Sequence, residues 1–173
     1  MIRYSSIETH YQEDKTYYGG SFEKALNYAM EQLKSIGLNE HQEALFAITM
    51  DKDHYIKGCR MIALGTYDYV PISGEEICRQ TLRDEACRVL ILHNHPHSFS
   101  LRPSQEDIAC TDHLIQCCNM MNIELIDHII VGDHKDMNRQ LFSLRQNKVL
   151  DFEFYTKNYN PQTDISQLKW GKR

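Results

Sequence analysis

Residues 93–107, HNHPHSFSLRPSQED, place three histidines and two adjacent acids directly after the apolar run VLIL. His93 and His95 stand two residues apart at the end of a predicted strand, so their side chains project from the same face of the sheet while Asn94 points away. Pro96 has no backbone N–H, and the strand is expected to end there. The pattern therefore predicts two imidazoles held together on a buried strand, as metal ligands would be.

A third ligand is available from the element that follows. A hydrolytic zinc site usually takes three protein ligands and leaves the fourth position for water. Ser104 begins a predicted helix, and Asp107, three residues later, faces the same way. Two neutral imidazoles and one carboxylate would leave about one net positive charge on the site, which lowers the pKa of a bound water to ~7.

The same residues also allow a purely structural interpretation. Ser-x-x-Asp is a common helix N-cap, in which Ser104 and Asp107 satisfy free backbone N–H groups. A His-x-His pair is weak support for a metal site when it stands alone. The combination of strand end, His-x-His-Pro, short loop and Pro-Ser-x-x-Asp favours the metal site, because a cap does not require two histidines on the facing strand.

Hydrophobic periodicity predicts an α/β layered domain with a mixed sheet. The most apolar strand, RVLILHN, is a continuous run that is typical of a central strand covered on both faces. The segment QLFSLRQNKVL is expected to form a final strand or a short turn. The other predicted strands are 43–51, 55–65 and 123–132, and the predicted helices are 21–37, 73–86 and 104–121.

Composition limits the classes of function. A chain of 173 residues fits one domain, and its net charge of −5 argues against broad, sequence-independent binding of nucleic acid. Six cysteines occur without a CxxC pair, which favours reduced, buried thiols in a cytosolic protein. There is no apolar run of the ~20 residues that span a bilayer. We therefore expect a cytoplasmic protein without a membrane partner.

The motif resembles the JAMM metalloprotease motif of JAB/MPN domains, and it is most similar to the RadC-like branch. EALFAITMD, VPISGEEICRQTLRDEACRVLIL and IELIDHIIVGD are similar to other segments of that branch. The resemblance implies a layered α-β-α fold of the cytidine-deaminase-like type. It covers roughly residues 38–150, which leaves 1–37 as an N-terminal extension with one helix and 151–173 as a C-terminal tail.

The resemblance also implies a role for each site residue. His93, His95 and Asp107 would bind Zn²⁺, and Ser104 would hold the bound water and stabilise the oxyanion. Glu43 would be the general base, which is coherent because a carboxylate beside a metal-bound water can pass its proton to a leaving amine. The implied function is a zinc-dependent hydrolase that cleaves an amide or isopeptide bond in a peptide or an isopeptide-linked protein substrate.

Two departures from the family pattern matter. Eleven residues lie between His95 and Asp107, one more than in the family motif, so strict counting would put Glu106 in the ligand position. Asp107 is preferred because PSQED keeps its register from the serine. The longer loop 97–102 also carries His97, which could add a ligand or simply be solvated. Residues 1–37 lack the helix-hairpin-helix region usual in RadC proteins.

Alternatives remain open at two other residues and for the function. Without the resemblance, Glu43 could equally be a surface acid; Glu40, Glu75, Glu76 and Glu85 compete by composition. His128 could support a ligand or be a packed strand histidine. The alternative function is a non-catalytic RadC-like domain that acts as a protein-binding or DNA-repair-associated module. A nucleic-acid role would need a basic face that the net charge does not promise.

Overall fold

Both strands and helices occur in the part of the chain that the computed structural model describes, namely residues 42–66, 69–96, 101–132 and 141–152. This confirms the α/β class. The predicted helix 21–37, residue His97 and the tail 153–173 lie outside the described residues. The elements are β1 (Ala44–Met50), β2 (Ile56–Leu64), α1 (Gly74–Arg83), β3 (Arg88–Asn94), α2 (Gln105–Met120), β4 (Glu124–Val131) and β5 (Leu141–Ser143).

The described strands form one mixed sheet in the order β2-β1-β3-β4-β5. β1 pairs antiparallel with both β2 and β3, and β5 pairs antiparallel with β4. β3 and β4 pair in parallel because α2 carries the chain back to the same end of the sheet between them. The histidines lie at the carboxyl end of β3, and the start of α2 lies at the same end of the sheet.

β3 is central and is buried on both faces, as its continuous apolar run predicts. On the helix-facing side, Val89 and Ile91 pack in a cluster with residues of α1 and α2. On the opposite side, Leu90 and Leu92 pack with apolar residues of β1, β2 and β4. His93 continues the helix-facing row, so the core itself aims this side chain toward α2.

Both helices begin at a serine, as the sequence predicts. The Ser73 hydroxyl accepts a hydrogen bond from the backbone N–H of Glu76 at the start of α1. At the start of α2, Ser104 and Asp107 form a reciprocal capping box. These caps fix the first helical residue, and with it the direction in which the Asp107 side chain leaves the helix.

A register shift in β4 decides which face His128 occupies. Val89 pairs with Leu125, but Leu90 pairs with Asp127, so β4 contains one extra residue at this point. After the shift, His128 lies on the helix-facing side, and Asp127 points to the opposite side. There Asp127 accepts hydrogen bonds from the Ser143 hydroxyl and the Arg145 backbone N–H, which ties β4 to the turn after β5. Such bulges re-aim side chains near functional sites.

The cysteines are only partly as expected. All six are free thiols, which agrees with the expected reduced state. The expectation that they are buried is wrong for half of them, which are partly exposed. Neither helix of the described residues has the length and apolar character needed to cross a membrane. The buried thiols are Cys78, Cys117 and Cys118, and the partly exposed ones are Cys59, Cys87 and Cys110.

Candidate metal centre

The two histidines of the motif converge at the end of β3. His93 is fully buried, while the His95 side chain is 12% exposed, so the pair spans the boundary between core and solvent. The Nε2 atoms of His93 and His95 lie 2.8 Å apart. The prediction that both imidazoles project together from one face is therefore confirmed by the geometry of the strand.

Asp107 approaches both imidazoles from the first turn of α2. Its Oδ1 atom lies 3.5 Å from His93 Nε2, and its Oδ2 atom lies 3.6 Å from His95 Nε2. Glu106 is exposed on the same helix. Because the capping box fixes the helix start, the extra loop residue does not displace the aspartate, and the structure brings Asp107 rather than Glu106 to the histidines.

Glu43 faces the same site from the neighbouring strand. Leu45 pairs with His93 in antiparallel register, and continuing that register by two residues places Glu43 opposite His95. The Glu43 Oε1 atom lies 3.9 Å from His95 Nε2, and the residue is buried. Its backbone is held by two hydrogen bonds, from Glu43 N–H to the Thr66 carbonyl and from Gly65 N–H to the Glu43 carbonyl.

These groups fit a divalent metal ion. Glu43, His93 and His95 each offer a ligand atom, and these three atoms all lie within 4.8 Å of one another, so this set could hold a metal. Tetrahedral zinc with bonds of about 2.0–2.2 Å separates neighbouring ligand atoms by roughly 3.3–3.6 Å. The contacts of Asp107 with the two histidines match that spacing, whereas the Glu43 contact is longer.

Protonation favours the ligand state at neutral pH. Burial lowers the pKa of His93 well below its ordinary value, and the nearby His128 adds to the effect. Burial alone would raise the pKa of Asp107, but hydrogen bonding from His95, the field of His93 and hydrogen bonds from Ser104 together lower it. A neutral imidazole and an ionised carboxylate are the forms that bind a cation.

Ser104 contacts Asp107 rather than open space. Its hydroxyl donates to Asp107 Oδ2 at 2.8 Å, and its backbone N–H donates to the same oxygen at 2.8 Å. The hydroxyl oxygen accepts from the Asp107 backbone N–H at 3.0 Å. The pair therefore caps the helix, and the same cap orients a carboxylate toward the histidines.

The sequence predicts that the Asn94 side chain points away from the histidines, but it does not reveal what that side chain does. On the face opposite the histidines, its side-chain oxygen accepts from the Ala44 backbone N–H at 2.7 Å. Its amide donates to the Gln42 carbonyl at 3.1 Å. The two bonds bracket Glu43, so one amide side chain sets the backbone from which that carboxylate projects. A polar residue at the buried end of an apolar strand was the available signal.

For the zinc hydrolase that the resemblance implies, we expect Asn94→Ala to lower the rate of hydrolysis without loss of the metal. Releasing the backbone on both sides of Glu43 lets its carboxylate move, and a displacement of about 1 Å can cost ~100-fold in rate. The measurement is kcat together with zinc per chain. Asn119→Ala is the control, because among the described residues the buried Asn119 amide nitrogen has no hydrogen-bond partner. Unchanged kcat in Asn94→Ala would contradict the positioning role.

His128 completes the group from β4. It is fully buried, and its Nε2 atom lies 2.6 Å from His93 Nδ1. Its Nδ1 atom lies 2.6 Å from the Thr111 hydroxyl on α2. Burial lowers the pKa of His128 to about 4, so this imidazole is neutral at pH 7. Of the two alternatives for His128, direct contact with His93 favours the supporting one.

The mixed sheet and its two helices are consistent with a JAB/MPN domain. The chain belongs to the RadC-like JAB domain family, whose model matches residues 20–149. That match begins before residue 38, and the division into an extension, a domain and a tail stays a prediction.

Curated relatives carry the family name UPF0758. A UPF0758 protein of Bacillus cereus (strain B4264) is 32% identical over 113 residues, which is 65% of this chain and 48% of that protein. A UPF0758 protein of Clostridium perfringens (strain 13) is 35% identical over 109 residues, which is 63% of this chain and 45% of that protein. The chain spans about half the length of the curated relatives it matches.

Proposed function

We propose that the protein is a zinc-dependent hydrolase of the JAMM type that cleaves an amide or isopeptide bond. One observation carries the proposal: two imidazoles and two carboxylates from three separate elements converge at one end of the sheet. Two buried or half-buried carboxylates flank two histidines whose Nε2 atoms lie 2.8 Å apart. That arrangement suits a cation between them.

His93, His95 and Asp107 would hold the zinc ion. The distances from Asp107 to the two histidines suit tetrahedral coordination, whereas the two histidine Nε2 atoms, 2.8 Å apart, lie closer than that spacing. Ser104 orients the carboxylate by donating to Asp107 Oδ2. When bound, zinc supplies a Lewis acid that polarises the scissile carbonyl and lowers the pKa of a water to ~7. The pKa of His93 and the pKa of Asp107 are both lowered in this site, so at neutral pH these two ligands already have the neutral and ionised forms that bind a cation.

Glu43 is the proposed general base. It lies beside His95, and its 3.9 Å contact with His95 Nε2 is longer than the spacing of the proposed ligand set. Glu43 accepts a proton from that water and gives it to the nitrogen of the leaving amine. The two hydrogen bonds of Asn94 and those of the Glu43 backbone hold the carboxylate in place for both transfers.

Ser104 has a further proposed role in the transition state. Its hydroxyl hydrogen is directed at Asp107 Oδ2, so stabilising an oxyanion would require the hydroxyl to rotate away from the carboxylate. The backbone N–H of Ser104 would keep the same Asp107 oxygen bonded during that rotation. The serine can thus serve the helix cap and the reaction without freeing the aspartate.

The proposed substrate is a peptide or an isopeptide-linked protein, and the proposed location is the cytoplasm. Free cysteines support the location, because reducing compartments keep thiols unpaired. The negative net charge does not support a nucleic-acid partner. The non-catalytic, protein-binding or DNA-repair-associated module is the outcome that the following experiment would favour if it shows no hydrolysis.

Metal removal tests this function. We expect the purified chain to hydrolyse members of a peptide and isopeptide library, to lose this activity after treatment with a chelator, and to regain it with stoichiometric zinc. Magnesium should not restore it, since imidazole ligands favour zinc over a hard cation. Hydrolysis that survives complete metal removal, or zinc binding without any hydrolysis, would contradict the proposal.

A further inference from the structure

A chain of hydrogen bonds leads from α2 through β4 to His93. The Thr111 hydroxyl lies 2.5 Å from the Asp107 backbone carbonyl and 2.6 Å from His128 Nδ1. His128 Nε2 lies 2.6 Å from His93 Nδ1. Thr111, His128 and His93 are all fully buried, so water does not compete for these contacts. Each group in the chain must therefore satisfy its neighbours within the protein.

The direction of the chain follows from its first member. A carbonyl oxygen cannot donate, so the single hydroxyl hydrogen of Thr111 lies toward the Asp107 carbonyl. The threonine oxygen then accepts from His128 Nδ1, which must carry a hydrogen. A neutral imidazole has only one N–H, so His128 Nε2 is an acceptor, and His93 Nδ1 is the donor to it.

We propose that Thr111 and His128 are positioning residues that fix His93 in the Nδ1–H tautomer, which directs the Nε2 lone pair into the metal centre. This inference rests on the proposed zinc site and adds how the protein orients one of the proposed ligands, His93. Nε2 is the His93 atom that faces Asp107 and His95. In the metal-free chain, the same lone pair accepts from His95 Nε2, which lies 2.8 Å away.

The register shift in β4 indicates that the contact between His128 and His93 is not incidental. Strict alternation from Leu125, which faces the helices, would place His128 on the opposite side of the sheet. The extra residue between Leu125 and Asp127 reverses this, and His128 then pairs with Ile91, two residues from His93. A buried imidazole takes the position that a carboxylate or carbonyl usually occupies behind a metal-ligating histidine.

The choice of an imidazole has an electrostatic consequence. A carboxylate behind His93 would add a third carboxylate to a site that Asp107 and Glu43 already flank. A neutral imidazole can donate to the Thr111 hydroxyl and accept from His93 without adding charge to the site. The chain ends on the backbone carbonyl of Asp107, so the helix that supplies one ligand also sets the tautomer of another.

The test compares Thr111→Val, which removes the hydroxyl at nearly constant volume, with Thr111→Ser, which keeps it. Two-bond ¹H–¹⁵N spectra of the metal-free chains report the tautomer of His93, and competition with a chromogenic chelator reports zinc affinity. We expect the Nδ1–H tautomer in the wild type and in Thr111→Ser. In Thr111→Val we expect a mixture of tautomers and a zinc Kd raised by about 10–100-fold.

The outcomes separate this inference from the proposed function. An Nε2–H tautomer of His93 in the wild type overturns the inference, even if Thr111→Val does not fold. Unchanged tautomer and zinc affinity in a folded Thr111→Val also overturn it, since a merely structural hydroxyl would change stability alone. Wild-type chain that has the expected tautomer and binds zinc, but hydrolyses nothing, refutes the proposed function while supporting the inference.

Discussion

Glu43→Gln is expected to lower kcat for hydrolysis by about 10²–10⁴-fold, the usual contribution of a positioned general base. The amide keeps the size of the carboxylate and its place opposite His95, but it cannot accept the proton of the attacking water. Zinc per chain should stay at the wild-type value, because Glu43 lies outside the proposed ligand set. The measurements are steady-state kinetics on one library-derived substrate and zinc content.

Glu75→Gln is the matched control for this substitution. Glu75 is exposed in the first turn of α1, so the same change of charge should leave both quantities as in the wild type. Two results would count against the assignment. Full activity of Glu43→Gln would show that Glu43 is not the general base. Loss of zinc from Glu43→Gln would show that Glu43 is a ligand, as its grouping with His93 and His95 allows.

Asp107→Ala should weaken zinc binding by more than about 100-fold, since even residues that only support a ligand cost 10–100-fold. The substitution also removes the acceptor for Ser104, at a cost of about 1 kcal/mol in stability. Asp107→Asn separates these effects, because its amide oxygen can still accept the cap while the charge is lost. Both variants should bind zinc poorly, and Asp107→Asn should be the more stable in urea.

Glu106→Ala is the comparison that the motif spacing demands. Glu106 is exposed, and its removal should leave zinc affinity unchanged. Isothermal titration of metal-free chains with zinc gives the affinity and stoichiometry of all four proteins. If Glu106→Ala loses the metal and Asp107→Ala keeps it, the third ligand is Glu106, as the residue count from His95 predicts, and the assignment of Asp107 from the helix cap is wrong.

Much of the fold was predictable because its determinants are local. The continuous apolar run of β3, the serine caps of both helices and the two-residue spacing of His93 and His95 each follow from periodicity and capping alone. The position of Asp107 also follows from a local rule, because the capping box sets the helix start whatever the loop length. The convergence of the histidines and the aspartate could therefore be predicted.

The rest depends on pairing between distant strands. The place of Glu43 requires the register of β1 on β3, and Asn94 acquires its partners only through that register. His128 would be assigned to the wrong face by alternation, because the shift between Val89 and Leu90 depends on how β4 meets β3. A sequence gives the period of each strand but not the offset between two of them.

The central claim is that His93, His95 and Asp107 bind one zinc ion. Anomalous diffraction from a crystal of the zinc-loaded chain, recorded on both sides of the zinc absorption edge, tests it most directly. The account predicts one peak at about 2.0–2.2 Å from His93 Nε2, His95 Nε2 and an Asp107 carboxylate oxygen, with Glu43 not coordinated. A peak bonded to Glu43 in place of Asp107, or no peak between the histidines, would contradict it.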